Sequence, residues 1–370
     1  MLTTRERASI LAAMFSQNAG LSTACLVCAA SLAGCAVSLA GCAANLDGAG
    51  QPTDAAASAP ADLTWVAPPE DFAGPRATSP DLAPSGLGPP YPIVLVHGMA
   101  GFRNIGPIDY FYGIPAALKK DGHDVWISQQ DPINDSEVRG PEVVAFVQMV
   151  LAATGKAKVN LIGHSQGGFD VRFVAATLGD RVASVITIAS PMKGSPVADL
   201  AVGGGQNAKD AVNALLNLYG ALNGYDSDAK SQIRMLTSVG AAAFFAQHPD
   251  DPRVAYYSIA GRSESAPDEG DCVAPDAPEF VSRWNFDLDP LDPLLSIPGG
   301  LIDQAVNPKP IHDGLVVVAS AKHGHFLGCI PADHLQEVNQ LFGAAPGQGN
   351  HFDAVAFYRE MADWLVLNGD

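Results

Sequence analysis

Positive charge is scarce in this 370-residue chain: Lys and Arg total 21 against 39 Asp and Glu, the net charge is −18, and only 16% of residues are charged at all. So few cations exclude a phosphate-binding surface for nucleic acid, which needs concentrated Lys and Arg. They equally exclude docking onto an anionic membrane by charge alone. Internal repeats are absent. A strong membrane span is missing too, because the one long apolar stretch, about Leu21 to Ala40, is rich in Ala and Gly and only about 20 residues long. What is plentiful is apolar material, 48% of the chain. That suffices for a buried core in one large domain or two ordinary ones.

Cysteine is sparse as well, and its six copies fall into two groups. Cys25, Cys28, Cys35 and Cys42 lie in the N-terminal stretch, where Arg5 and Arg7 precede an apolar middle and then small residues. That order is the pattern of a secretory signal. Leu32-Ala33-Gly34-Cys35 and Leu39-Ala40-Gly41-Cys42 each resemble the lipobox of bacterial lipoproteins, in which the Cys becomes the lipidated first residue. Cys42 is the favoured site, because a polar linker follows it at once, with Cys35 the alternative. Residues 1–42 therefore read as a signal with a tandem lipobox, on an exported protein that is either anchored to a membrane, the outer one by preference, or secreted. Residues 43–90, rich in Ala, Pro, Gly and Asp without periodicity, cannot bury enough apolar surface to offset their ordering entropy and read as a flexible tether. The remaining two cysteines, Cys272 and Cys329, most simply make one disulfide in an exported chain, with two buried thiols as the alternative.

The domain spanning 91–370 alternates short β-branched runs with helical segments, the signature of a mostly parallel sheet flanked by helices. Strands are expected at Ile93–Val96, Val125–Ile127, Val159–Ile162, Val185–Ile188, Val254–Ile259 and Leu315–Val318. Helices are expected over Pro141–Thr154, with Gly155 as a stop, and over Phe169–Leu178.

Between the strand ending at Ile162 and that second helix stands Gly163-His164-Ser165-Gln166-Gly167. Chance alone supplies roughly 0.2 copies of G-x-S-x-G in a chain this rich in Gly. The position between strand and helix is what carries weight. There a sharp turn presents the Ser at the carboxyl end of the sheet, and only glycines fit on either side. This is the nucleophile elbow of an α/β-hydrolase fold. Acyl transfer also needs donors for the developing oxyanion. The backbone N–H of Gln166 is one, and that of Met99 is the other, in the loop His97-Gly98-Met99-Ala100-Gly101-Phe102 that follows the first strand. His97 precedes the nucleophile, and this fold orders its triad Ser, acid, His; a loop-orienting role suits it better.

Chain order leaves His248, His312, His323, His325, His334 and His351 as possible bases. Asp313, beside Leu315–Val318, supplies an acid, and His334 follows 21 residues later; Asp303 is a rival acid. By spacing alone His323 and His325 compete closely with His334.

Further blocks resemble the bacterial true lipases of the Pseudomonas and Burkholderia type. They are Tyr91-Pro92-Ile93-Val94-Leu95 with His97-Gly98-Met99, then Ser136-Glu137-Val138-Arg139-Gly140, Lys158 to Ser165, Asp313-Gly314-Leu315-Val316, and His334-Leu335 with Glu337-Val338-Asn339-Gln340. The resemblance makes Asp313 the acid and His334 the base. It implies a helical lid over about 195–248, where Val212, Leu215, Leu216, Tyr219 and Leu222 recur at helical spacing. It also implies a Cys272–Cys329 disulfide tying the acid-bearing loop. Family members hold a structural calcium through two aspartates. Asp289 in Leu288-Asp289-Pro290 matches the first, but Gln336 replaces the second, which weakens a hard-oxygen site. Lys322 to Cys329 stands out as a longer insert.

Together these residues point to an exported serine hydrolase of carboxylic esters, with acylglycerols at a lipid–water interface as the expected substrate and no cofactor for the chemistry. The alternatives are a short-chain carboxylesterase or polyester depolymerase with the same triad, and a non-catalytic lipid- or partner-binding lipoprotein on a hydrolase scaffold. A folding chaperone is neither implied nor excluded.

Overall fold

The computed structural model describes residues 88–370 other than 106–107, 211–228, 264–269, 285–290 and 341–349. The signal, both lipobox cysteines Cys35 and Cys42, nearly all of the tether, the lid stripe from Val212 to Leu222, and Asp289 lie outside the described residues. Among the described residues no helix is long and apolar enough to cross a membrane.

Six parallel strands form one sheet: β1 (Ile93–Val96), β2 (Val125–Ile127), β3 (Val159–His164), β4 (Val182–Ile188), β5 (Ala255–Gly261) and β6 (His325–Ile330), in the order β2-β1-β3-β4-β5-β6. Helices cover it: α1 (Ile114–Lys120), α2 (Ser136–Thr154), α3 (Gly167–Leu178), α4 (Pro196–Val202), α5 (Ala229–Met235), α6 (Ser238–Gln247), α7 (Glu279–Ser282), α8 (Ser296–Ala305), α9 (Val318–Ala321) and α10 (Ala354–Leu367). The apolar runs of β1, β3 and β4 are continuous because both faces of the sheet are buried, as helices on each side of a parallel sheet require. The period of two then sorts the side chains. Ile93, Leu95, Ile162 and Ile186 join Phe357, Tyr358 and Met361 of α10 in one core. Val94, Val96, Leu161 and Val185 face the other way, onto Val143, Val147 and Val150 of α2 and Val171 and Val174 of α3.

Three expectations needed correction. Helix α2 begins at Ser136, five residues before Pro141, because the Asp135 side chain caps it by accepting the Glu137 N–H; Pro141 sits inside the first turns. Leu315–Val318 is not a strand: the N–H groups of Leu315 and Val316 go to the Asp313 carboxylate, and Val318 already opens α9. Conversely, the stretch read as an insert, Lys322 to Cys329, contains most of β6, the edge strand that pairs with β5. The Cys272–Cys329 disulfide is formed, and it anchors β6 to the short turn at Gly270–Cys272. Between β4 and β5 the described part of the expected lid segment contains α4, α5 and α6.

Candidate active site

The elbow between β3 and α3 explains its own sequence. Ser165 has φ 55°, the left-handed region that costs a non-glycine residue about 1–3 kcal/mol. The chain closes so tightly around it that a Cβ at Gly163 would lie 2.4 Å from the Gly167 carbonyl oxygen, and one at Gly167 would lie 2.3 Å from that of Val96. No larger residue fits either place, and the turn in return lifts the serine hydroxyl into a cavity. Met99, Ala100, Tyr110, His164, Ser165, Leu315, His334 and Leu335 line that cavity.

Three side chains from distant parts of the chain meet there. His334 Nε2 is 2.9 Å from Ser165 Oγ, and its Nδ1 is 2.8 Å from Asp313 Oδ2. A carboxylate only accepts, so Nδ1 carries the proton and Nε2 faces the hydroxyl with its lone pair. Asp313 is fully buried, and its other oxygen takes the N–H groups of Leu315 and Val316 at 2.8 and 2.7 Å. The backbone closes the same loop, with His334 N–H on the Asp313 carbonyl at 3.0 Å. Rival groups are engaged elsewhere. His323 pairs with Asp250, His248 with Glu137, and Asp303 with His312 and Lys309. His325 opens β6 at an exposed position, and His351 is exposed too.

Met99 lines the cavity from the loop after β1, and Gln166 follows the serine as the residue capping α3. Their side of the site is braced by Arg139, whose role the motif Ser136-Glu137-Val138-Arg139-Gly140 does not reveal by itself. Wholly buried, Arg139 donates to Gln166 Oε1 and to the His97 carbonyl, both at 2.7 Å, and pairs with Asp170 at 2.8 Å. Gln232 of α5 donates to the same Gln166 oxygen at 2.7 Å, while the Gln166 amide donates to the Asn134 carbonyl. The oxyanion side thus has both of its loops tied to one buried guanidinium. His97 does orient the loop: its ring packs under Gly101, its Nδ1 is 2.9 Å from the Gly98 carbonyl, and burial, reinforced by Arg139, holds its pKa down to about 3.

Beneath the triad lies a second buried network, for which no residue spacing is a signal. The Tyr110 hydroxyl is 2.7 Å from His164 Nδ1, and His164 Nε2 is 2.9 Å from Glu337 Oε2. Glu337 stands 3.6 Å behind His334 Nδ1. Burial, with repulsion from His334 second, pushes the His164 pKa well below the usual histidine value. A neutral His164 therefore accepts the tyrosine O–H hydrogen bond at Nδ1 and donates its Nε2–H to Glu337.

The residues described around the expected calcium position do not fit a hard cation. Gln336 brings an amide where a carboxylate is needed, and its Oε1 accepts the Asp333 N–H at 3.3 Å. The nearby Asp333 carboxylate already accepts the N–H groups of Asp292, Leu335 and Gln336, each at 3.0 Å. That bond from Asp292 links the two segments directly.

Comparison with known proteins agrees with this architecture. Residues 91–212 match the alpha/beta hydrolase fold family. A triacylglycerol lipase of Vibrio cholerae is 36% identical over 296 residues, 75% of this chain and 88% of that protein. One from Burkholderia plantarii is 32% identical over 327 residues, 75% of this chain and 87% of that protein. Among solved structures, Staphylococcus hyicus lipase shares the fold at a TM-score of 0.53, with 16% identity over 77% of this chain and 97% of that one. On this identity and coverage the chain belongs to the family of bacterial triacylglycerol lipases, carboxylic ester hydrolases of the α/β-hydrolase fold.

Proposed function

We propose that the chain hydrolyses acylglycerol esters through an acyl-enzyme formed on Ser165. The observation that carries this reading is the unbroken relay from Ser165 Oγ through His334 to Asp313, with bonds of 2.9 and 2.8 Å. Ser165 Oγ attacks the ester carbonyl carbon while His334 Nε2 takes its proton. Asp313 holds the ring in the required tautomer and stabilises the imidazolium that forms. The backbone N–H groups of Met99 and Gln166 receive the oxyanion, and the N-terminal end of α3 adds its positive dipole end. Collapse of the tetrahedral species breaks the ester C–O bond, and His334 returns the proton to the leaving alcohol. Water then repeats the sequence on the acyl-enzyme and releases the carboxylic acid, restoring the serine. None of these steps needs a metal.

In this reading residues 1–42 direct export and carry lipidation at Cys42, residues 43–90 tether the domain, and 91–370 do the chemistry. The segment 195–248 covers the site as a lid and admits substrate at a lipid–water surface. The family membership and the apolar lining at Met99, Ala100, Leu315 and Leu335 support an acyl chain as the group bound.

The test is hydrolysis of p-nitrophenyl butyrate and of emulsified long-chain triacylglycerol by the wild type and by Ser165→Ala. Loss of about 10⁴-fold or more in kcat for both substrates is expected. Equal rates in the two proteins would overturn the mechanism, and wild-type activity confined to the butyrate ester would replace the acylglycerol reading with a short-chain esterase.

A further inference from the structure

His312 precedes the acid in sequence, is 6% exposed, and takes no part in the relay. Its Nδ1 accepts the N–H of Gly314 at 2.9 Å. A backbone N–H can only donate, so Nδ1 is unprotonated and the ring proton sits on Nε2. That proton points to Asp303 Oδ1 of α8 at 3.2 Å, and Lys309 Nζ closes on the other Asp303 oxygen at 3.0 Å. The ring is also packed by α8, since a Cβ at Gly299 would come 3.1 Å from its Cε1. The His312 carbonyl accepts the Ser263 N–H at 2.9 Å, just past β5.

Asp313 is thus bracketed. Of the three N–H groups that follow it, the first goes to His312, and the next two go to the Asp313 carboxylate itself at 2.8 and 2.7 Å. Gly314 stands at φ 97°, a region glycine enters and leaves freely, so the hydrogen bond to His312 rather than side-chain sterics fixes this peptide. If the Gly314 N–H lost its acceptor, that peptide would be buried without a partner, and the turn would rotate to find another. Any such rotation carries the two N–H groups that orient the carboxylate facing His334.

We propose that His312 is a positioning residue for Asp313: with Asp303 fixing its tautomer, it pins the Gly314 peptide and so sets the carboxylate that orients His334. This rests on the triad reading above. Asp303 and His312, candidates for the triad itself by sequence, become its support.

The test uses the full chain and expresses kcat per active site titrated with a p-nitrophenyl phosphonate, so that partly unfolded protein does not count. A side-chain carbonyl at position 312 can accept the N–H two residues on. His312→Asn is therefore expected to keep kcat within about three-fold. His312→Leu is expected to lose about 30-fold in kcat with KM within about two-fold, as a small misplacement of catalytic groups does. Its acidic limb in kcat/KM should move to lower pH, because a misplaced Asp313 stabilises the His334 imidazolium less. The groups facing His334 are Asp313, Glu337 and His164, and the last two are untouched by these changes. Asp303→Ala should show a smaller loss with the same limb shift, and Asp303→Asn, which still accepts from Nε2, should resemble the wild type. If His312→Leu does not fold, the Asp303 pair decides.

A wild-type kcat and limb in His312→Leu, or in Asp303→Ala where it stands in, overturns the inference, as does an Asn variant as impaired as Leu. Asp313→Ala is measured alongside. Wild-type activity there removes the triad reading itself, whereas an inactive Asp313→Ala beside a normal His312→Leu removes only this inference.

Discussion

The Glu337 carboxylate lies 3.6 Å from His334 Nδ1, behind the 2.8 Å bond that Asp313 makes to the same nitrogen. Two carboxylates therefore face one imidazole from the buried side. A unit charge near 4 Å is worth up to about 4 kcal/mol at an effective dielectric near 20. Part of the Glu337 charge is spent on His164, which it accepts from at 2.9 Å. Glu337→Gln keeps an acceptor for His164 and removes the charge. The expected outcome is about a ten-fold loss in kcat/KM, or roughly 1.4 kcal/mol, with the acidic limb displaced to lower pH and the melting temperature little changed. A pH–rate profile identical to the wild type would show that the carboxylate serves only to hold His164.

How much of this could be read beforehand depended on how local each cause is. The elbow at Ser165 and the loop after β1 were legible, because glycines at fixed offsets between a strand and a helix report a backbone constraint within a few residues. The choice of His334 over His323 or His325 was not decided by spacing. It depends on which loop the fold returns to the sheet end, and only resemblance tipped it. Strand β6 was missed for a physical reason: its pairing with β5 shifts register between Ser258 and Ile259, opposite Phe326 to Gly328, and Gly328 sits at φ 124°. A bulge of that kind breaks the alternation a strand is recognised by. Leu315–Val318 failed in the opposite sense, since Asp313 captures its first N–H groups before any ladder can form. Arg139 and Glu337 stand within recognisable motifs, yet a buried charge shows its purpose only when its partners are placed around it.

Arg139 offers a separation of stability from chemistry. It and Asp170 are both fully buried, 2.8 Å apart. Removing one partner of such a pair leaves an uncompensated charge, at about 3–5 kcal/mol. Arg139→Met is expected to lose that much in denaturant unfolding. The double variant Arg139→Met/Asp170→Leu should recover at least half of it, because no lone charge remains. Activity should not return with stability: Gln232 remains on the Gln166 oxygen and Gln130 on the His97 carbonyl, but the guanidinium that ties the two loops to each other is gone. Recovery of both together would mean that Arg139 acts on the fold alone.

The calcium that the resemblance to the true lipases implies is open to a direct test. Gln336 stands where that resemblance expects a carboxylate, and the Asp333 carboxylate accepts the Asp292 N–H directly. Incubation with excess chelator is expected to leave both the melting temperature and p-nitrophenyl butyrate hydrolysis unchanged. A fall of more than about 5 °C that added Ca²⁺ reverses would place a metal at this position after all; that is roughly 3 kcal/mol for a domain of this size.

Asp333, next to the base, carries the clearest pH signature. Its carboxyl is pushed up from 3.8 to about 6 by burial, with Asp292 adding to the rise and three backbone N–H groups opposing it. The folded protein therefore binds this proton more tightly than the unfolded chain does. Stability contributed by the group is highest below about pH 4, falls as pH rises through 4 to 6, and is constant above that. Two pKa units correspond to about 3 kcal/mol at most. Asp333→Asn cannot ionise, so its unfolding free energy minus that of the wild type should rise by up to this amount between pH 4 and 7 and then level off. Any fixed cost of losing the Asp292 contact shifts the whole curve without changing its slope. Denaturant titrations at four pH values across this range measure the slope directly. A slope of zero would mean that the three N–H donors offset burial, and that Asp333 ionises in the folded protein as it does in the unfolded chain.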